Sequence, residues 1–356
     1  MGVRSHCGIR SMSSAAPFRD GEVREWKRGF AANSKIRNRL AVCACVCVLF
    51  LTGCGSGSYA IPYDAYSANS SFTVLSADQA GRADAFAANL CIANENYNED
   101  AADLSQAQAA GLFSIGDKQT LYSKNVHERL YPASLTKVMT ALVALKEGNR
   151  EDVLTASANV RITESGATLA GLKAGDTMTL DQALRILLLQ SANDVAVMIA
   201  EQYGGTVEHF CEMMNEEAKS IGATNCNFVN PHGLTDEEHY VTAYDMYLIF
   251  NEACKYELFK EIIGMSAYST VYYDMSGGEI SFDKPSTNWY FSGEATAPSG
   301  ITVLGGKTGT TTAAGNCLVL LSSDTSGKSY ISVILKAPER GILYTEMTDL
   351  LTVIQK

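Results

Sequence analysis

The sequence lacks a run long enough to span a bilayer, because its apolar stretch Leu40–Thr52 has only 13 residues against the ~20 a membrane helix takes. Short as it is, with Lys35, Arg37 and Arg39 just ahead of it, that stretch matches the apolar core of a secretory signal. Positive charge is scarce too. The chain holds 28 Lys and Arg against 39 Asp and Glu, a net of −11. Residues 1–53 carry nine of the basic and three of the acidic side chains, a net of +6, which leaves −17 for residues 54–356. So acidic a body argues against nucleic acid as a partner, since phosphate binding needs a basic face; simple solubility accounts for the charge. Cysteine pairs at metal-binding spacing are missing as well. Once the signal is set aside, Cys91, Cys211, Cys226, Cys254 and Cys317 remain beside Cys54, with no C-x-x-C among the five. That argues against a zinc site, and an odd number leaves at least one thiol unpaired. No internal repeat is visible.

What is present begins with the signal's end. Leu51-Thr52-Gly53-Cys54 resembles the lipobox of bacterial lipoproteins. The resemblance implies cleavage before Cys54 and alkylation of its thiol by a diacylglyceryl group, anchoring the chain to the outer face of the bacterial cell membrane. Ordinary signal cleavage, with Cys54 unmodified, is the alternative. Residues 1–34 are long for the basic region of a signal, and Met12 is the other candidate start. Residues 54–82, rich in Ser, Gly, Ala and Tyr without a period, read as a flexible tether. From residue 83 to 356 the pattern is that of a globular domain, within a chain that is 46% hydrophobic.

In that domain Ala109–Ile115 and Thr120–Ser123 flank Gly116-Asp117-Lys118, a hairpin signal. Pro132-Ala133-Ser134 opens a helix so dense in Leu, Val and Met that it is expected to be buried nearly all round, ending at Gly148. Thr179 and Gln182 have the spacing of a capping box. Further helices are expected from Val195 to Tyr203, from Thr206 to Gly222 and from near Thr242. Two strands, Cys317–Leu321 and Tyr330–Leu335, then precede a closing amphipathic helix with Ile342, Met347, Leu350, Leu351 and Ile354. Strands, then helices, then strands imply one sheet made from both chain ends, with a helical insertion between them.

Three short motifs carry chemistry. Ser134-Leu135-Thr136-Lys137 puts a hydroxyl and an amine on one helix face, a turn apart. An adjacent base activates a serine, and a lysine becomes a base only when desolvation or a second cation lowers its pKa. A capping serine beside a solvated lysine would have the same spelling. Ser281-Phe282-Asp283-Lys284 repeats the spacing but runs into Pro285, so it lies outside a helix. Ser191-Ala192-Asn193 sits between two apolar helices, where its polar groups are either bonded internally or facing a site. Lys307-Thr308-Gly309 follows Ile301–Leu304 and two glycines; such a strand lets a substrate backbone come close, with a lysine suited to a carboxylate. A strand-end lysine on a turn is the plainer reading.

Together, in this order and with flanks Tyr131-Pro132-Ala133 and Asn230-Pro231-His232-Gly233-Leu234, the motifs resemble the serine penicillin-recognising enzymes. Within them they look like the low-molecular-mass penicillin-binding proteins, the D-alanyl-D-alanine carboxypeptidases, over roughly residues 105–350. The resemblance implies an α/β (α+β) fold, the β-lactamase/transpeptidase-like three-layer sandwich of an antiparallel sheet flanked by helices, with a helical subdomain. It implies Ser134 as the nucleophile that is acylated, Lys137 as its base, and Ser191 as proton relay to the departing D-alanine. Asn193 would hold the substrate amide and Lys137, and Lys307 and Thr308 would bind the terminal carboxylate. The N–H groups of Ser134 and Thr310 would form the oxyanion hole. No metal or cofactor is expected. The implied partners are peptidoglycan stem peptides ending in D-Ala-D-Ala and β-lactams as covalent inhibitors. His232 and His239 are expected to be structural. Position 310, often His or Tyr in such proteins, is Thr here. Only 49 residues follow Lys307, so the N-terminal lipid is expected to replace the C-terminal anchor of many relatives. Two rivals remain: a β-lactamase, against which stand Ala192 in the second motif and the lack of Glu-x-x-Leu-Asn, and a lipoprotein that binds penicillins or stem peptides without turnover.

Overall fold

The computed structural model describes residues 88–356; the sequence expectations for the signal, for Cys54 and for the tether lie outside them. A hairpin opens the domain, β1 (Ala109–Ser114) and β2 (Gln119–Lys124). A 3-10 turn at Ala133–Leu135 leads into α1 (Thr136–Glu147), whose residues Thr136 to Ala144 are all buried. There follow β3 (Val153–Thr155), β4 (Thr177–Thr179), α2 (Leu180–Leu189), α3 (Asn193–Gly204), α4 (Val207–Ser220), α5 (Ala243–Ala253) and α6 (Glu257–Ile263). The chain continues through β5 (Ala267–Tyr273), β6 (Glu279–Pro285) and a single helical turn at Trp289–Ser292. It closes with β7 (Ile301–Thr311), β8 (Gly315–Asp324), β9 (Ser329–Ala337) and α7 (Arg340–Thr352). The capping box forms as its spacing predicts, with Thr179 and Gln182 exchanging bonds at the start of α2. The Thr206 and Thr242 side chains cap α4 and α5 by accepting from the His209 and Asp245 N–H groups.

Five antiparallel strands in the order β2-β1-β9-β8-β7 form the main sheet, so both ends of the domain meet in it. Strand side chains alternate between faces, and two separate cores result. Ala109, Phe113, Val319, Ile331 and Val333 pack with the helices on one side, where α5 lies against β1 and β9. Ala110, Leu112, Leu318, Leu320 and Ile334 meet Leu343, Met347, Leu350 and Leu351 of α7 on the other. Helices, sheet, helix: the three layers are those expected.

A second sheet, β3-β4-β5-β6, was not legible in the sequence. Strands β3 and β4 have three residues each, too few to show a period. In β5 and β6 only Tyr272 and Phe282 are buried, so the alternation is weak. Ser281 to Lys284 lie in β6, as expected outside any helix.

All five described cysteines are unpaired. Burial pushes the thiols of Cys211, Cys254 and Cys317 up to about 12, so they act as small apolar groups.

Candidate active site

The turn before α1 places Ser134 by strain. Ala133 is left-handed, at φ 47, a conformation a non-glycine residue keeps only when its surroundings impose it. Two contacts impose it here. Gly233 lies so close that a Cβ on it would meet the Ala133 carbonyl oxygen at 1.8 Å, and Thr136 Oγ1 donates to that same oxygen at 2.8 Å. His239 completes the brace. Its Nδ1 accepts from Val229 N at 3.1 Å, which assigns the proton to Nε2 and lets Nε2–H donate to Thr136 Oγ1 at 2.8 Å. No side chain caps either this turn or α1, so the Ser134 hydroxyl is not a helix cap.

That hydroxyl faces Lys137. Lys137 is fully buried, and its Nζ lies 3.0 Å from Ser134 Oγ, 2.6 Å from Asn193 Oδ1 and 2.6 Å from the His232 carbonyl oxygen. Burial holds its pKa well below the usual amine range, and the nearby Lys307 lowers it further, with Asp194 opposing. A neutral amine has two N–H donors and one lone pair. Asn193 and His232 accept two of the N–H groups, so loss of the third proton would leave a lone pair facing Ser134 Oγ. The geometry is that of a serine with its base in place.

Ser191 and Asn193 follow α2, whose cap is Gln190. Ser191 is left-handed, at φ 72, and its Oγ accepts from Lys307 Nζ at 2.9 Å. The pair is thus both internally bonded and turned to the site. On β7, Lys307 Nζ also donates to its neighbour's carbonyl, Thr308 O, at 2.7 Å. Lys307 is only 1% exposed. Burial, then the Arg340 charge, lowers its pKa to about 7. Near neutral pH its positive charge is therefore only partial, and a nearby carboxylate would raise it. The Thr308 hydroxyl bonds to that of Thr287 at 2.7 Å. Thr310 turns its hydroxyl away, donating to Asn316 Oδ1 at 3.1 Å, so what it can offer a substrate is its backbone. Gly309 is where β7 and the Ser134 turn touch: a Cβ there would sit 3.0 Å from both Pro132 O and Ser134 N.

Three contributors were missed in the sequence. Arg340, at the start of α7, bonds to the Thr287 carbonyl, lies over the Trp289 ring with its guanidinium carbon 4.9 Å from the ring centroid, and lines the same cleft as Ser191 and Thr308. Asp194 is buried beside Asn193, and its carboxylate accepts from the N–H groups of Ala170, Gly171 and Leu172 at 2.9, 2.8 and 3.0 Å. It ties down the loop that walls the site. Gly233 is the third. Asp194 left a signal as an acid in the first turn of a helix next to a motif residue, and Gly233 as part of the Asn230–Leu234 run, whose role was not legible; Arg340 left none. His232 and His239 are structural, as expected; burial lowers them to about 3 and about 4, so both are neutral.

Two clefts meet at Ser134. One, of 170 Å³, runs past Ser191, Thr287, Thr308 and Arg340. The other, of 310 Å³, runs past Glu164, Asn193, Leu234 and Thr310 to Thr312. A larger hollow of 660 Å³ lies at the β2 edge, lined by Leu90, Tyr97 and Leu121; it holds none of these groups.

A serine hydroxyl 3.0 Å from a buried lysine amine, in a groove between a sheet edge and a helical layer, is the geometry of a serine acyl-transfer site. Comparison with known proteins gives the family: the D-alanyl-D-alanine carboxypeptidase family, peptidase S11, matches residues 96–339, and the chain belongs to it. Among relatives, the D-alanyl-D-alanine carboxypeptidase DacF of Bacillus subtilis is 39% identical over 163 residues, 45% of this chain and 42% of its own. DacC of Escherichia coli is 32% identical over 262 residues, 69% of this chain and 60% of its own. The chain thus spans about half the length of these relatives. Among solved structures, the Streptomyces K15 DD-transpeptidase superposes with a TM-score of 0.64 at 27% identity, over 70% of this chain and 96% of that one. Penicillin-binding protein D2 of Listeria monocytogenes, in its cefotaxime-bound form, gives 0.59 at 25% identity, over 70% and 98%.

Proposed function

We propose that this chain is a serine D-Ala-D-Ala carboxypeptidase that removes the terminal D-alanine from peptidoglycan stem peptides. The observation that carries the reading is the buried Lys137, its pKa held well below the usual amine range, with Nζ 3.0 Å from Ser134 Oγ. As Oγ attacks the carbonyl carbon between the two D-alanines, its proton passes to Lys137. The oxyanion that forms is met by the backbone N–H groups of Ser134 and Thr310, a contribution commonly of a few kcal/mol. When the C–N bond breaks, the departing amine takes a proton by way of the Ser191 hydroxyl, which Lys307 holds in place. The terminal carboxylate of the leaving D-alanine is met in the smaller cleft by Lys307, Thr308 and Arg340. Water then attacks the ester, giving a proton to Lys137; the acyl bond to Ser134 Oγ breaks as Lys137 returns that proton to Oγ, and the shortened peptide leaves with a new carboxyl group. No step calls for a metal or cofactor, and β-lactams would acylate Ser134 as covalent inhibitors.

Intact-mass measurement on the full chain tests this. A peptide ending in D-Ala-D-Ala should release free D-alanine over many turnovers. Penicillin should add its mass once per chain, and Ser134→Ala should abolish that addition. Rapid multiple-turnover penicillin hydrolysis with no D-alanine released would install the β-lactamase instead, and binding without turnover of either would leave a non-catalytic lipoprotein.

The same reading places the protein at the outer face of the cell membrane, held by lipid on Cys54. Its support is the sequence Leu51-Thr52-Gly53-Cys54 behind a short apolar run. Cys54→Ala should shift the protein from the membrane fraction to the medium or to an uncleaved precursor. Unchanged palmitate labelling and fractionation would show the anchor to be elsewhere.

A further inference from the structure

The two clefts at Ser134 differ in charge. The smaller carries Arg340, with Lys307 bonded to its Ser191 wall. Along the larger, Ser165, Thr168, Asn193, Thr310, Thr311 and Thr312 are uncharged and His232 is neutral. Glu164 is the one charged side chain on that wall. It is exposed and makes no ion pair among the described residues. Its backbone is nonetheless fixed. The Ala167 N–H closes a turn onto the Glu164 carbonyl at 3.2 Å, Asn193 N donates to Thr168 O at 2.8 Å, and three N–H groups further on are held by Asp194. A carboxylate is thus presented at the acyl end of the groove, opposite in sign to the cations at the leaving end.

A stem peptide lying in this groove puts its terminal carboxylate with the cations. The residue before the two D-alanines then falls in the larger cleft, one Cα step (about 3.8 Å) beyond the acylated D-alanine. We infer that Glu164 is a specificity-determining residue that binds a free side-chain ammonium on that residue, so that the preferred substrates are stem peptides whose diamino acid is unacylated. The inference rests on the carboxypeptidase reading. Its consequence is selectivity for stems whose side-chain amine has not been joined to a neighbouring strand.

Three peptides with the same D-Ala-D-Ala end separate the possibilities: Nα-acetyl-L-Lys, Nα,Nε-diacetyl-L-Lys, and Nα-acetyl-L-norleucine in the first position. With the full-length chain, kcat/KM for D-alanine release should be about fivefold higher for the free amine than for the other two, the strength of a partly exposed ion pair. The preference should shrink as salt is raised. Glu164→Gln should bring the free-amine peptide down to the level of the acetylated one and leave the acetylated one unchanged. Glu164→Lys should reverse the order. Equal rates for all three peptides with the wild-type chain, or a preference that survives Glu164→Gln, overturn the inference while the carboxypeptidase reading stands. An equal slowing of all three by Glu164→Gln also overturns it, because a carboxylate that activates the deacylating water would act so. No D-alanine from any of the three would remove the carboxypeptidase reading itself, and this inference with it.

Discussion

Lys137→Met is expected to slow acylation by a fluorescent penicillin ~10³-fold, within the range a positioned base contributes. Methionine keeps an unbranched stem in a site with no exposure. Arginine would be a poorer probe, since it carries an obligate charge into a desolvated place and would disturb folding as well. The methionine variant leaves Asn193 Oδ1 and the His232 carbonyl without their donor, which costs ~1–3 kcal/mol of stability, so labelling must be read on protein shown to be folded. The pH profile sharpens the test. An amine with a lowered pKa is neutral and competent above that pKa, and it loses competence as the pH falls through it. Wild-type acylation should therefore fall on acidification, whereas the residual rate of Lys137→Met should lack that limb. His232 and His239, at about 3 and about 4, titrate too low to supply a limb above pH 5. Lys307, near 7, gains charge on acidification, which favours carboxylate capture and so opposes the fall. Near-normal labelling of Lys137→Met would move the base to another residue.

The second large effect falls on a residue with no reactive group. Gly233→Ala should cost ~3 kcal/mol or more and remove most acylation, because it combines a left-handed backbone with a collision. Gly233 is at φ 88, and the new methyl would meet Ala133 O at 1.8 Å and Thr136 Oγ1 at 2.8 Å. Relief requires the Ser134 turn to move. Gly277→Ala is the control: it shares the left-handed backbone at φ 82 but has nothing within 4 Å, so it should cost ~1 kcal/mol and leave labelling intact. Denaturant unfolding and penicillin labelling of the pair decide the matter. If the two variants behave alike, the contact at Ala133 does not position the nucleophile.

The contrast between these residues shows what a sequence discloses. Ser134 with Lys137, Ser191 with Asn193, and Lys307 with Thr308 were legible because three short motifs in this order together resemble those of the penicillin-recognising enzymes, although each alone had a plainer reading. The hairpin β1–β2 and the Thr179–Gln182 box were legible from local spacing. Arg340 was not. It lies 33 residues beyond Lys307 and joins it only because β8 and β9 return α7 to the same cleft. Gly233 gave no hint that it presses on Ala133, a contact across a hundred residues of chain. The lowered pKa of Lys307 was equally hidden, since it depends on burial and on Arg340. Local spacing announces chemistry; the tuning of that chemistry is tertiary.

Strand β7 ends the main sheet, and this has a bearing on which molecules the groove admits. An edge strand offers unclaimed main-chain groups to any extended chain that reaches it. Here Thr308, Gly309 and Thr310 of that strand line the groove. A peptide bound there could pair as a sixth strand, which would require it to be extended. The same edge could also pair with a second copy of itself. Buried Lys307, with Arg340 beside it, makes a second copy of this strand a poor guest, since two such edges would bring like charges together. Such an edge would favour a short extended peptide over a second copy of this strand.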